Sequence, residues 1–151
     1  MAVETTTFSN NSADTWFRDI MFDCVLCPRA CHVNRLAGQT GYCGQTAELM
    51  AARASLHYWE EPCISGTSGS GTVFFSGCNL RCVFCQNHNI ALGKAGRVIA
   101  PEHLAEIFLQ LQEQGANNIN VVTPTHFLPQ IVIALELSLI HISEPTRHAQ
   151  I

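Results

Sequence analysis

The stretch Thr72-Val73-Phe74-Phe75-Ser76-Gly77-Cys78-Asn79-Leu80-Arg81-Cys82-Val83-Phe84-Cys85-Gln86-Asn87 runs from an apolar segment straight into three closely spaced cysteines. Thr72–Phe75 is a short β-branched and aromatic run, closed by Ser76-Gly77 and opened by Gly71, and it reads as a buried strand. Its end delivers the cysteine loop. Cys78, Cys82 and Cys85 have the spacing to hold three corners of an iron–sulfur cube, and no cysteine follows Cys85. A four-iron cluster normally takes four thiolates. Three leave one iron open, just as catalytic zinc keeps three protein ligands and reserves a place for water or substrate. A reactive cluster is therefore expected here. Zinc is the competing reading, although a structural zinc site wants four ligands, and a disulfide fits poorly with a reducing compartment.

The elements downstream continue an α/β pattern. Pro101 suits the first position of a helix whose Leu104, Ile107, Phe108 and Leu111 share one face, with Gly115 as its stop. Asn118–Val122 reads as a second strand, leading through Thr123-Pro124-Thr125-His126 into a further helix from about Pro129. Strand, loop, helix and strand make the rhythm of a parallel sheet, with the site at the carboxyl ends of the strands.

A second cysteine group precedes this. Cys24, Cys27 and Cys31 lie in Cys24-Val25-Leu26-Cys27-Pro28-Arg29-Ala30-Cys31, and Cys43 follows in Gly41-Tyr42-Cys43-Gly44. Four thiolates suit either a structural zinc or an auxiliary [4Fe–4S] cluster welding a glycine-rich, loop-like segment. The plainer reading is unligated core cysteine. Cys63 reads as a small buried hydrophobe, with a spare ligand or a reactive thiol near the active site as the alternative.

The C-x3-C-x2-C run, with an aromatic residue before its last cysteine, resembles the signature of the radical S-adenosylmethionine (radical SAM) enzymes. That resemblance implies that Cys78, Cys82 and Cys85 ligate a [4Fe–4S] cluster whose open iron is chelated by S-adenosylmethionine. Reductive cleavage would then give a 5'-deoxyadenosyl radical that abstracts a substrate hydrogen. It places Phe84 near the adenine. Gly77 gives the backbone room beside the cluster, and Asn79 and Arg81 can shield or hydrogen-bond its sulfides. In such barrels a glycine-rich, acid-ended segment after the second strand meets the cofactor's amino group; Thr123, Thr125 and His126 stand at that place here and are candidate cofactor or substrate contacts. His57 reads as structural. Glu60 and Glu61 read as a solvated turn or, alternatively, as ligands for a substrate cation.

A longer pattern narrows the resemblance. Cys24-x2-Cys27-Pro28-Arg29-x-Cys31-x-Val33-Asn34-Arg35, Gly38-x2-Gly41-Tyr42-Cys43-Gly44, Trp59-Glu60-Glu61-Pro62-x-Ile64-Ser65-Gly66 and Gly71–Cys78 resemble the radical SAM proteins related to pyruvate formate-lyase activating enzyme. By analogy the substrate would be a backbone glycine of a partner glycyl radical enzyme, and the electron donor a reducing protein such as flavodoxin or ferredoxin. The alternative is a non-catalytic zinc or iron–sulfur module that binds a partner protein.

Composition bounds the rest. The chain has 151 residues, 47% of them hydrophobic, and a net charge of −4 with no Lys/Arg cluster, so phosphate-driven nucleic-acid binding is not expected. Its most apolar stretch, 127–142, is broken by Pro129, Gln130, Glu136 and His141 and falls short of a membrane span. Met1–Asp14 is polar and unlike a secretory leader, so a cytoplasmic protein with a frayed start is expected. The resulting division is a flexible lead-in at 1–20, a cysteine-rich segment at 21–66, the first part of a barrel at 67–136 and a non-native tail at 137–151. The tail is assigned because Leu137–Arg147 resembles the conceptual translation of a transposon-end adapter used in sequencing libraries. A true terminal strand and loop is the alternative. The expected molecule is thus an α/β fragment, the truncated start of a partial (β/α) barrel, binding iron poorly and lacking turnover by itself.

Overall fold

A computed structural model describes residues 10–142. Its centre is β2 (Ser70–Phe75), buried along almost its whole length as its apolar sequence requires. On one side lies β1 (Met50–His57), antiparallel, with Ala51 opposite Phe75 and His57 opposite Ser70. On the other lies β4 (Ile119–Val122), parallel, from Gly71 opposite Ile119 to Phe74 opposite Val122. The two-residue β3 (Arg97–Val98) pairs antiparallel with the start of β1, giving the order β3-β1-β2-β4.

Two helices cover one face of this sheet. In α4 (Pro101–Glu113) Pro101 occupies the first turn, where its missing N–H costs nothing, and Glu102 complements the helix N-terminus. Its Leu104, Ala105, Phe108 and Leu111 form a buried core with Val73 and Phe75 of β2, Phe127, and Ile131 and Ala134 of α5 (Leu128–Ile142). Phe75 and Phe127 meet edge to face at 6.0 Å, the arrangement their ring quadrupoles favour. Beneath the starts of the strands, α2 (Pro62–Ser65) is lashed by asparagines: the Asn117 and Asn118 amides donate to the Ser65 and Ile64 carbonyls.

The expected strand at 72–75 and the helix from Pro101 are both present, as are the strand before Thr123 and the helix near Pro129. Two βα units follow from them, β2–α4 and β4–α5. The sheet differs from the expected parallel one: β1 and β3 are antiparallel, and the described strands form an open mixed sheet rather than a barrel. The loop-like cysteine-rich stretch is correspondingly shorter than 21–66, because Met50–His57 belongs to the sheet. The lead-in also differs, since Asn10–Phe22 is a helix, α1, whose Met21 is fully buried. Finally, α5 runs through Ile142, so the first residues of the stretch assigned to a non-native tail continue the helix, and Leu137 packs against the core. The remaining tail, 143–151, lies outside the described residues, as do residues 1–9.

The cysteine-rich segment is fastened to the sheet by Arg35, which is only 1% exposed. Its Nε and Nη2 donate to the Thr46 carbonyl, at 3.2 and 2.5 Å, and its Nη1 to the His126 carbonyl at 2.6 Å. The His126 ring is itself buried, and its Nε2–H donates to the Ser76 carbonyl at 2.7 Å. Gln130 on α5 adds a bond from its amide to the Ala47 carbonyl, 2.6 Å away.

Two outcomes are expected from this packing. Phe75→Ala should cost about 3–5 kcal/mol in urea unfolding, the usual result of deleting a buried aromatic ring. His126 gives a pH dependence. Burial lowers the ring's pKa from 6.5 to about 4, the Ser76 bond opposing and the Arg35 charge assisting. The neutral ring therefore supports the fold fully above about pH 6.5, and stability falls as pH drops toward 4, by at most about 3 kcal/mol. Unfolding midpoints at pH 7 and 4.5 should show this loss in the natural chain and a smaller one in His126→Gln.

Candidate metal centre

The three cysteines of 78–85 leave the carboxyl end of β2 through Gly77, whose φ of +79° is open to glycine at no cost. Space demands glycine as well: an added Cβ would lie 2.5 Å from Gln45 Cγ and 2.6 Å from the Cys43 carbonyl oxygen. The loop is thus pressed against the cysteine-rich segment. Cys78 is buried, Cys85 half-buried and Cys82 exposed. A turn brings the Cys85 N–H to the Cys82 carbonyl at 3.2 Å, after which α3 (His88–Ala91) begins.

The Cys78 sulfur accepts from the Leu80 N–H at 3.4 Å and from the Thr123 hydroxyl at 3.5 Å. Burial pushes this thiol up, but hydrogen bonds from the Arg81 backbone, Thr123 and Leu80, with the Arg81 charge, together bring it below its ordinary value. A thiol eased toward thiolate is a thiol prepared for a metal. Over the loop, Tyr42 is flanked by two guanidiniums, Arg29 at 3.9 Å and Arg81 at 5.1 Å from the ring centroid. Arg29 Nε also donates to the Asn79 carbonyl at 3.3 Å. Within the loop, Arg81 Nε and Asn79 Oδ1 are buried polar atoms without a hydrogen-bond partner.

This donor set fits a four-iron cluster held at three vertices. One loop supplies three thiols, one of them eased toward thiolate, while Leu80, Thr123 and the unpartnered Arg81 Nε supply donors of the kind that stabilise cluster sulfur. Among the described residues, no three His, Cys, Asp or Glu side chains converge on the dimensions of a single metal ion.

In the second group, the Cys24 N–H donates to the Val33 carbonyl and the His32 N–H to the Cys24 carbonyl, folding 24–33 back on itself. Cys31 Sγ accepts from the Tyr42 N–H at 3.4 Å, which brings the fold against 41–44. Burial is the main reason that the Cys43 thiol is pushed up, and the nearby Cys24 and Cys31 add to it against the lowering effects of the Gln45 backbone and Arg35. Cys24 and Cys31 therefore lie in the neighbourhood of Cys43.

The other sequence candidates are distributed unevenly. Thr123 reaches the cysteine loop, whereas Thr125 opens a 3-10 turn and His126 is buried in the packing described above. Phe84 is 93% exposed. Glu60 accepts from the Asn120 amide at 2.9 Å, which also donates to Ser70, so it belongs to the starting end of β2, away from the cysteine loop. His57, opposite Ser70, and Cys63 on α2 lie at that same end. Cys63 is exposed, which corrects its reading as a buried hydrophobe, and its position removes it from the metal centre. Arg29 and Tyr42 stand in the sequence pattern but were assigned no role there, and Gln45 was not singled out, since their roles come from contacts across the chain that no local spacing encodes.

Among the described residues, no helix is long and apolar enough to cross a membrane. The chain is 32% identical over 127 residues to an uncharacterized protein of Methanocaldococcus jannaschii, a match covering 78% of this chain and 36% of that relative. The chain thus spans about a third of the length of the relative it matches. No solved structure matches it. Residues 72–149, which include most of β2, the cysteine loop, both long helices of the sheet and β4, match the radical SAM superfamily. The chain belongs to that superfamily.

Proposed function

We propose that this chain carries the cofactor-binding part of an enzyme that cleaves S-adenosylmethionine at an iron–sulfur cluster held by Cys78, Cys82 and Cys85. The observation that supports this most directly is the thiol of Cys78, buried at the end of β2 and hydrogen-bonded at sulfur by Leu80 and Thr123. When bound, a reduced [4Fe–4S] cluster supplies the electron that converts the sulfonium into a hydrogen-abstracting radical. The protein's own work is to hold thiolates, donate to sulfur and hold the loop's shape. Thr123 donates to the sulfur and, from its position just after β4, would also be a contact for the cofactor. The substrate class assigned by this reading is a backbone glycine of a partner enzyme, with flavodoxin or ferredoxin as reductant, and its support is the sequence pattern from Cys24 to Cys78. The strongly exposed Val83 and Phe84 on the same loop offer apolar surface to a cofactor or a protein partner.

Cys24, Cys27, Cys31 and Cys43 are proposed to hold a separate metal, zinc or a second cluster. The hydrogen bond from the Tyr42 N–H to Cys31 Sγ, which brings Cys31 up to the 41–44 turn that carries Cys43, favours this. A second reading, a metal-bound interaction module without catalysis, rests on the same cysteines.

Anaerobic reconstitution separates the two. Iron content and the electron paramagnetic spectrum are recorded before and after adding S-adenosylmethionine. A spectral change is expected in the natural chain, its loss in Cys82→Ala and its retention in Cys27→Ala. Zinc at the loop thiols, or a cluster indifferent to S-adenosylmethionine, would sink the enzymatic reading. Thr123→Val, which removes one donor to sulfur, should move the cluster's midpoint potential in the negative direction in a redox titration.

A further inference from the structure

We propose that the free edge of β1 receives an extended acidic segment of a partner polypeptide as an added strand, seated in a cleft between β1, β3 and α4. This site is separate from the cysteines and rests on none of the readings above. Along one side β1 is paired with β2 from Ala51 to His57, but along the other β3 meets only Met50 and Ala51. Among the described residues the outer edge has no strand neighbour from Ala52 to His57, a length of roughly 20 Å at about 3.3 Å per residue. Such an edge is a ready template for another chain.

The reason that β3 stops short is local. Gly96 has a φ of +125°, and a Cβ there would collide with the Ser76 hydroxyl and lie 2.9 Å from the Ala51 carbonyl oxygen. The chain therefore arrives at β3 from the side, and the rest of the edge stays open.

Beside this edge is a cleft of about 520 Å³ whose lining includes Ala52, Arg53, Arg97, His103, Ile107 and Gln110. The last three stand at helical spacing on one face of α4, so a strand laid along β1 would cover that face. Ile107 provides an apolar floor. Arg53 and Arg97 are exposed, and neither side chain has an ion pair or hydrogen bond among the described residues. The adjoining carboxylate, Glu106, is engaged by His103 Nδ1 at 3.0 Å. A single arginine on an edge strand is a common guard against unwanted pairing. Two arginines lining one cleft, in a chain of net charge −4, make a positive seat instead, and an acidic strand is the occupant that complements both the charge and the open backbone.

The test is fluorescence anisotropy of the full 151-residue chain with a labelled peptide of alternating Val and Glu. Saturable binding is expected, weakened about tenfold or more, equivalent to about 1.4 kcal/mol, in the double variant Arg53→Glu, Arg97→Glu. Methylation of alternate backbone nitrogens on the peptide should weaken it similarly. Circular dichroism of the double variant should match the natural chain, since both arginines are exposed. Equal binding of a Val/Lys peptide, indifference to backbone methylation, or displacement by a DNA oligomer with equal affinity would each overturn the proposal, as would no saturable binding.

Discussion

The buried guanidinium of Arg35 is the contact on which the rest of this structure depends. A cation out of water is costly unless its hydrogens are satisfied, and among the described residues no carboxylate is paired with it. Backbone carbonyls do the work: Thr46 accepts twice and His126 once, while the Phe127 ring lies 5.7 Å from the charge. Bonds to a charged donor contribute about 1.5–3 kcal/mol each. They join the cysteine-rich segment to the turn that follows β4. Because His126 in turn donates to the Ser76 carbonyl, the same chain of bonds reaches the residue from which the cysteine loop departs. Burial is the main reason that the His126 ring resists protonation, and the nearby Arg35 charge adds to it.

This fastening makes the two cysteine groups neighbours. Gly77 has no room for a side chain because the Cys43 carbonyl and Gln45 fill the space. Arg29 from one group and Arg81 from the other share the Tyr42 ring. Any shift in the segment around Cys43 is therefore felt at Cys78, through packed contacts rather than through a flexible tether. A metal bound by the first group would act on the second by fixing these contacts, in addition to any charge that it brings.

How much of this was legible in the sequence depends on the range of the forces involved. The buried strand ending in Cys78 was readable because apolar run, glycine and cysteines are adjacent in the chain. The helix at Pro101 was readable because Leu104, Phe108 and Leu111 repeat on one face and Pro101 starts it. By contrast, β1 is the sequence Met50-Ala51-Ala52-Arg53-Ala54-Ser55-Leu56-His57, poor in β-branched residues, and it is a strand because β2 offers it a ladder. In α1 the apolar Phe17, Ile20 and Met21 do share a face, but the polar run before them concealed it. The exposure of Phe84 and the burial of His126 were equally beyond local pattern. Both follow from which surfaces the fold brings together, and a lone aromatic or histidine carries no mark of that.

The antiparallel pairing of β1 with β2 has a consequence for the metal centre that a wholly parallel sheet would not. Since Ala51 lies opposite Phe75, the chain just before Met50 and the chain just after Phe75 are at the same end of the sheet. The cysteine-rich segment ends where β1 begins, so it arrives beside the cysteine loop as a matter of topology, and Arg35, Tyr42 and Gln45 then have only short distances to cover. Had β1 run parallel to β2, the same residues would enter at the end occupied by Ser70, with the length of β2 between Cys43 and Cys78. The orientation of one strand, poorly marked in its own sequence, thus decides whether the two cysteine groups form one neighbourhood or two.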